Sequence, residues 1–237
     1  MTSLVDAIPR RRVRTLTMDI VLVGLGSLFV AALAQLYIRL PLTPVPITGQ
    51  TLGVLLVGAS LGWARGGAAL LLYLAEGALG LPFFAEGQEG ARVLGLSSAT
   101  GGYLWGFVIA AVIVGWLAEK GWDRSTRGSI SAMLIGEIVI FSLGVVWLSA
   151  ALDVPIIGQA DQYDDALDFG LYPFVIGDML KLFIAAAVLP AGWRLAGKEG
   201  RHAMRAEKSL APEADEEPQS KNTEVEASRS RAIKKKK

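Results

Sequence analysis

The chain has 237 residues, 52% of them hydrophobic, with a single histidine, no cysteine and a formal net charge of +1. That composition is too apolar for an ordinary soluble domain and fits a polytopic membrane protein. It excludes disulfides, thiol catalysis and zinc sites built on several histidines, and the body of the chain offers no basic surface for nucleic acid.

Arg10, Arg11, Arg12 and Arg14 precede a first apolar run from about Leu16 to Ile38. Basic-then-apolar also describes a signal peptide, and Ala32-Leu33-Ala34 has the small-residue cleavage pattern, but the run exceeds the usual apolar region of roughly 7–15 residues. Next comes Arg39 to Thr51, with Pro44 and Pro46 close behind Pro41. Such proline density rules out a regular helix, yet the stretch is too apolar for a solvated linker. It reads as an ordered loop lying against the membrane-embedded part. Two short spans follow, about Ile47 to Leu61 and Gly67 to Leu81, both below the roughly 20 residues that a bilayer core requires. Short or glycine-interrupted apolar segments point to a transporter's binding site. A second long loop, Pro82 to Ala99, leads to spans from Thr100 to Ala118, Ser129 to Ala151 and Leu171 to Leu195.

The charges orient these spans. Lys and Arg concentrate at the N-terminus, at Arg65, at Lys120, Arg124 and Arg127, and in the tail. The opposite side holds Arg39 and Arg92 beside Asp153, Asp161, Asp164, Asp165 and Asp168. The positive-inside rule then makes both termini cytoplasmic and turns the loops after helices one and three outward. The expected fold is all-α: a six-span bundle over 16–195, a basic cytoplasmic segment over 1–15, and a charged, unstructured cytoplasmic tail over 196–237. The lysine run Lys234 to Lys237 either touches anionic lipid or is simply solvated.

Asp178 and Lys181 stand three apart in the last apolar segment, on one helix face. Charges at that depth are costly and usually face protein or water. They form either an ion pair that locks packing or a polar socket, since a carboxylate accepts from N–H donors while an ammonium donates to a carbonyl. A urea-like ring or a peptide group satisfies both. Gln50 opens the second span as a pocket-rim amide or as a helix-start residue. Arg92 either grips an anionic ligand group or pairs with Glu86 or Glu89. Tyr73, Phe84, Tyr103 and Trp105 are candidates for an apolar wall, or ordinary packing and interfacial aromatics. Glu76, near the outer end of its span, and Glu137, closer to the cytoplasmic end of its own, suit a proton-coupled carrier instead. An intramembrane enzyme using Asp178 as acid or base lacks a matched nucleophile or metal set. Gly58 and Gly62, and Gly102 and Gly106, have the spacing of close helix packing, as do Ser27 and Ala31. Gly192 to Gly197-Lys198 half-matches a phosphate loop, but Glu199 stands where Ser or Thr must hold Mg²⁺, so ATP-driven work requires another subunit.

Four stretches in order, Thr43-Pro44-Val45-Pro46-Ile47-Thr48-Gly49-Gln50-Thr51, Gly80-Leu81-Pro82-Phe83-Phe84-Ala85, Thr100-Gly101-Gly102-Tyr103-Leu104-Trp105-Gly106-Phe107 and Pro173 to Lys181, resemble BioY, the biotin-binding S component of energy-coupling factor (ECF) transporters. The resemblance runs from about Leu16 to Leu195. It implies six helices and a high-affinity biotin pocket near the outer face, roofed by the loops after helices one and three. It implies substrate contacts from Asp178 and Lys181, with the two loops completing the enclosure. The residues read above fit that picture, with Gln50, Thr43, Thr48, Tyr73, Phe84, Tyr103 and Trp105 as candidates around the pair and either Arg92 or Lys181 for the biotin carboxylate. It implies no catalysis and no cofactor beyond biotin as cargo. The implied partners are a transmembrane coupling protein, met through Ser27 and Ala31, and two ATP-binding-cassette ATPases in the inner cell membrane. The acidic loop Glu86-Gly87-Gln88-Glu89-Gly90 departs from the small or amide residues expected there, and the charged tail lies outside the pattern.

Overall fold

The computed structural model describes residues 3–7, 15–158 and 165–210. Helices α1 (Thr15–Ala34), α2 (Gln50–Leu61), α3 (Trp63–Ala78), α4 (Gly101–Glu119), α5 (Thr126–Leu152), α6 (Ala166–Gly170) and α7 (Val175–Leu210) account for most of them. Among the described residues four helical stretches are long and apolar enough to cross a membrane: Leu16–Ala34, Gly101–Glu119, Thr126–Leu152 and Val175–Leu195. The chain is a mostly helical membrane protein. α2 and α3 have 12 and 16 residues, which makes them about 18 and 24 Å long against a hydrocarbon core of about 30 Å.

The first helix ends at Ala34, earlier than its apolar run suggests, because Tyr37–Ile38 (β1) pairs antiparallel with Ile47–Thr48 (β2). The prolines between them close this small hairpin, a β element in a chain expected to be all-α. α3 starts at Trp63 rather than Gly67. The whole α2–α3 connection is Gly62, whose φ of 84° lies in the left-handed region that favours glycine. The expected span from Leu171 opens with a turn at 171–174, preceded by the short α6, and is helical only from Val175 in α7. α7 carries Pro190 inside it and continues through Leu210, into the stretch read as an unstructured tail. Ala, Arg, Lys and Glu, all strong helix formers, dominate that extension. The basic residues 10–14 and the remaining tail lie outside the described residues.

Close packing marks the crossing of α2, α3 and α4 and the α4–α5 pair. A Cβ on Gly58 of α2 would stand 2.7 Å from the Ala111 carbonyl oxygen of α4, and one on Gly102 of α4 would stand 2.6 Å from that of Leu143 on α5. These glycines let backbones approach as GxxxG spacing requires. The larger buried cluster joins Val30, Val54, Leu70, Tyr73, Phe107 and Ile140. A smaller one seats Leu182, Ala185 and Leu189 of α7 against Leu55, Val114 and Met133.

Polar ties fix the ends. Arg65 bonds Asp6 and Asp19, each at 2.8 Å, so the N-terminal segment is docked beside α3. Burial opposes ionisation of Asp6, but its bonds to Arg65 and Ser3 outweigh this and hold its carboxyl below the ordinary value. Trp193 donates to Asp123 at 2.5 Å and stacks under Arg124, tying α7 to the α4–α5 connection. Asp165 caps α6, accepting from Gly158 and Asp168 backbone N–H groups at 2.7 Å each. Those bonds, that of Gly158 foremost, hold the Asp165 carboxyl low.

Candidate ligand-binding site

The site begins with the Asp178–Lys181 spacing. One helical turn puts both side chains on the face of α7 turned toward α2, and Lys181 Nζ meets Asp178 Oδ1 at 2.5 Å. Thr51, in the first turn of α2, completes a triangle. Its hydroxyl accepts from Lys181 and donates to Asp178, both at 3.2 Å. Asp178 is 5% exposed, and its second oxygen, Oδ2, has no hydrogen-bond partner among the described residues. A buried acceptor left open in this way is costly to the protein and available to a ligand donor.

The hairpin and the start of α2 supply the next layer. Thr48 Oγ1 donates to Gln50 Oε1 at 2.9 Å, and Gln50 Nε2 donates to the Tyr73 hydroxyl at 2.6 Å. Tyr73 passes the chain on to the Phe83 carbonyl at 3.1 Å. Phe84 stands edge-on to Tyr73, with ring centroids 5.6 Å apart. On the other side Tyr103 donates to the Gly170 carbonyl at 2.8 Å, and Tyr103, Phe141 and Phe174 form a run of ring contacts about 6 Å apart. Together these groups surround a hollow bounded by Asp178, Lys181, Thr51, Gln50, Phe84 and Phe141. It is narrow, ≈ 50 Å³, whereas small-molecule sites typically run to roughly 300–1,000 Å³. A ligand of vitamin size therefore requires the lining to part.

The lining includes loop residues. Ala85 and Gln88 of the loop after α3, and Val45 and Pro46 of the proline-rich loop, close it over. The two loops are tied by Arg39 Nε to Glu86 Oε1 at 2.7 Å and a second, shorter contact between Nη2 and Oε2. The hydrogen bond from Arg39 holds the Glu86 carboxyl below its ordinary value. The acidic residue that departed from the expected loop pattern thus fastens one loop to the other.

A model of the BioY family matches residues 4–198. This chain belongs to the BioY family. It is 37% identical over 152 residues to the biotin transporter BioY of Thermotoga maritima, covering 64% of this chain and 83% of that one. It is 33% identical over 178 residues to the biotin transporter BioY of Rhizobium etli, covering 72% and 90%. Among solved structures it is similar to an S-component for biotin from an ECF-type ABC transporter, with a TM-score of 0.65 and 22% identity, covering 77% of this chain and 94% of that one. That likeness speaks for the fold. BioY is a family of transporter components and not of enzymes.

Within this BioY-family chain the structure gathers Asp178, Lys181, Gln50, Thr48, Phe84 and Tyr103 around the hollow, with Tyr73 directly behind Gln50. Others stand elsewhere. Thr43 spends its hydroxyl on the Phe169 carbonyl at 2.5 Å and the Val45 N–H at 3.1 Å, pinning the loop to α6. Trp105 points away, 41% exposed and bonded to the Leu94 carbonyl. Arg92 sits exposed on a short 3₁₀ turn, Ala91–Leu94, and does not line the hollow. Ser27 and Ala31, expected on an outer face for a partner, are buried. Ser27 donates to the half-buried Glu76 carboxylate of α3, so its hydroxyl is used inside the bundle.

Sequence reasoning missed Thr51 as a member of the charged triangle and Phe141 as part of the wall. Gln50-Thr51 at a helix start was a usable signal for the first. Glu137 stands, as read, in the half of α5 nearer Thr126, but its closeness to the charged pair was not foreseen. It is buried within electrostatic reach of Asp178 and Lys181.

Proposed function

We propose that this protein is the biotin-binding membrane subunit of a vitamin uptake transporter. The observation that carries the reading is the Asp178–Lys181–Thr51 triangle with its open Asp178 oxygen, set under two loops and ringed by aromatics. A ureido ring presents N–H donors and a carbonyl together. Asp178 accepts the donors and Lys181 supplies the carbonyl's partner, while Phe84, Tyr103, Phe141 and Phe174 suit an apolar thioether ring. Entry separates the loops and spreads the side chains that now fill the hollow. The names of the relatives support biotin as the cargo.

In this reading α1 to α5 and α7 form six spans in the cytoplasmic membrane. The short α2 and α3 are accommodated by tilt or local bilayer thinning. Both termini lie in the cytoplasm, following the Lys and Arg distribution. The energy comes from partners, a transmembrane coupling protein and two ATPases, as the description of the structural neighbour as part of an ECF-type ABC transporter suggests. The test is calorimetry or thermal shift on the purified chain with biotin, dethiobiotin and unrelated vitamins. Tight binding of biotin alone or with dethiobiotin is expected. Equal response to every vitamin, or to none, refutes the assignment.

A further inference from the structure

Glu137 stands on α5, 6% exposed, and neither of its carboxyl oxygens has a hydrogen-bond partner among the described residues. Buried acids are normally paired, because leaving one without a partner is expensive. Another orphan atom, Asp178 Oδ2, belongs to the charged triangle. Glu137 and Asp178 both line a cleft of ≈ 460 Å³ between α5 and α7, and they are the titratable groups that do so among the described residues. The rest of that lining is apolar apart from Ser142. Asp178 and Phe141 also line the smaller hollow, so the two spaces share a wall. Phe141 is one turn along α5 from Glu137.

Lys181 now spends its donors on Asp178 and Thr51. A first ligand N–H can take the open Asp178 Oδ2, and a second one drawn to Oδ1 competes there with the ammonium. An ammonium drawn off its counter-ion in buried surroundings needs another anion nearby. Glu137 is the acid within electrostatic reach of both partners.

We propose that Glu137 is a positioning residue for ligand binding, receiving the Lys181 ammonium when the N–H groups of a urea- or amide-bearing ligand take over Asp178. The idea rests on the function proposed above and adds a third ionisable residue to its site. Before the ligand arrives, Glu137 is a destabilising acid waiting without a partner. Once it is bound, the carboxylate holds Lys181 where the ligand carbonyl can use it. Stability and affinity therefore depend on Glu137 with opposite signs.

The experiment is a biotin titration and a ligand-free thermal melt of the full-length protein, comparing wild type with Glu137→Gln, Glu137→Leu and Glu137→Asp. The Gln and Leu variants are expected to melt no lower than wild type without biotin, yet to bind it about tenfold or more weakly. Glu137→Asp, which keeps the carboxyl group, is expected to retain more affinity than Glu137→Gln. Wild-type affinity in the Gln and Leu variants overturns the proposal. So does a parallel fall in melting temperature and affinity, which marks a packing residue, or better binding by Gln than by Asp. Wild-type protein that binds no biotin refutes the proposed function and this role with it, whereas wild-type binding with indifferent variants refutes this role alone.

Discussion

The crossing of α2, α3 and α4 and the gap between α5 and α7 are built on opposite plans. In the first, glycines bring backbones so near that an added methyl meets a neighbouring carbonyl. In the second, apolar side chains face each other across ≈ 460 Å³. Gln50, Thr51, Tyr103 and Phe107 stand on the tight side, and Asp178, Lys181 and Phe141 on the loose one. The hollow lies at their junction. A site assembled this way has one wall that keeps its shape and another that can yield, which suits a cavity too small for its proposed cargo.

The largest expected effect comes from breaking the charged edge of the loose wall. Asp178→Ala or Lys181→Ala leaves a buried charge alone, a loss of about 3–5 kcal/mol. If it falls on binding, biotin affinity drops by roughly two to four orders of magnitude. Calorimetry on both variants checks this, and unchanged affinity removes the triangle from the site. Next in size is the tight wall. Gly58→Leu puts a side chain against the Ala111 backbone, and overpacking of this kind costs about 1–3 kcal/mol. Thermal melts should show the fold weakened. Leu134→Ala, facing the cleft, should do less, because a lining already short of neighbours loses fewer contacts. Equal losses at the two positions would abolish the contrast.

A smaller effect is expected from Tyr73→Phe, which strands the Gln50 amide and removes the link to Phe83. A lost hydrogen bond is worth about 1 kcal/mol, so biotin affinity should fall roughly fivefold with little change in fold. The smallest effect concerns the Arg39–Glu86 tie between the loops. The Glu86 carboxyl is held below its ordinary value of 4.5 by its bond to Arg39. A lowered value in the folded state means that the tie contributes fully above about pH 4.5 and fades as pH falls through the lowered value. Hydrogen exchange at the Phe84 and Gly87 amides should be slower in wild type than in Arg39→Ala at neutral pH. The difference should disappear on acidification. A difference that persists in acid assigns the loop's order to something other than this pair.

Much of this was legible in the chain. A carboxylate and an ammonium three apart in an apolar helix must share a face, and at that depth they must be paired. Gln50 behind a proline-rich stretch had few places to go other than a helix start beside a loop. Ser27 was harder, because α1 is apolar nearly all round and no polar face tells protein from lipid. Its burial is set by Glu76 on a helix 49 positions away. Arg92 failed for a related reason: a loop cation has no periodicity, and the acid that matters, Glu86, chose Arg39 instead. The approach of Glu137 to the α7 charges depends on how α5 lies against α7, which no local pattern encodes.

The bond from Trp193 to Asp123 pins α7 well away from its charged pair. From 178 to 193 the helix covers about 22 Å. With that end held and the other bordered by a cleft, any tilt of α7 about Trp193 would work as a lever on the charged pair. A swing of about 3° moves Asp178 by roughly 1 Å over that length, the scale on which a hydrogen bond is made or lost. Angular play too slight to register as a change of shape is enough to open the grip or tighten it.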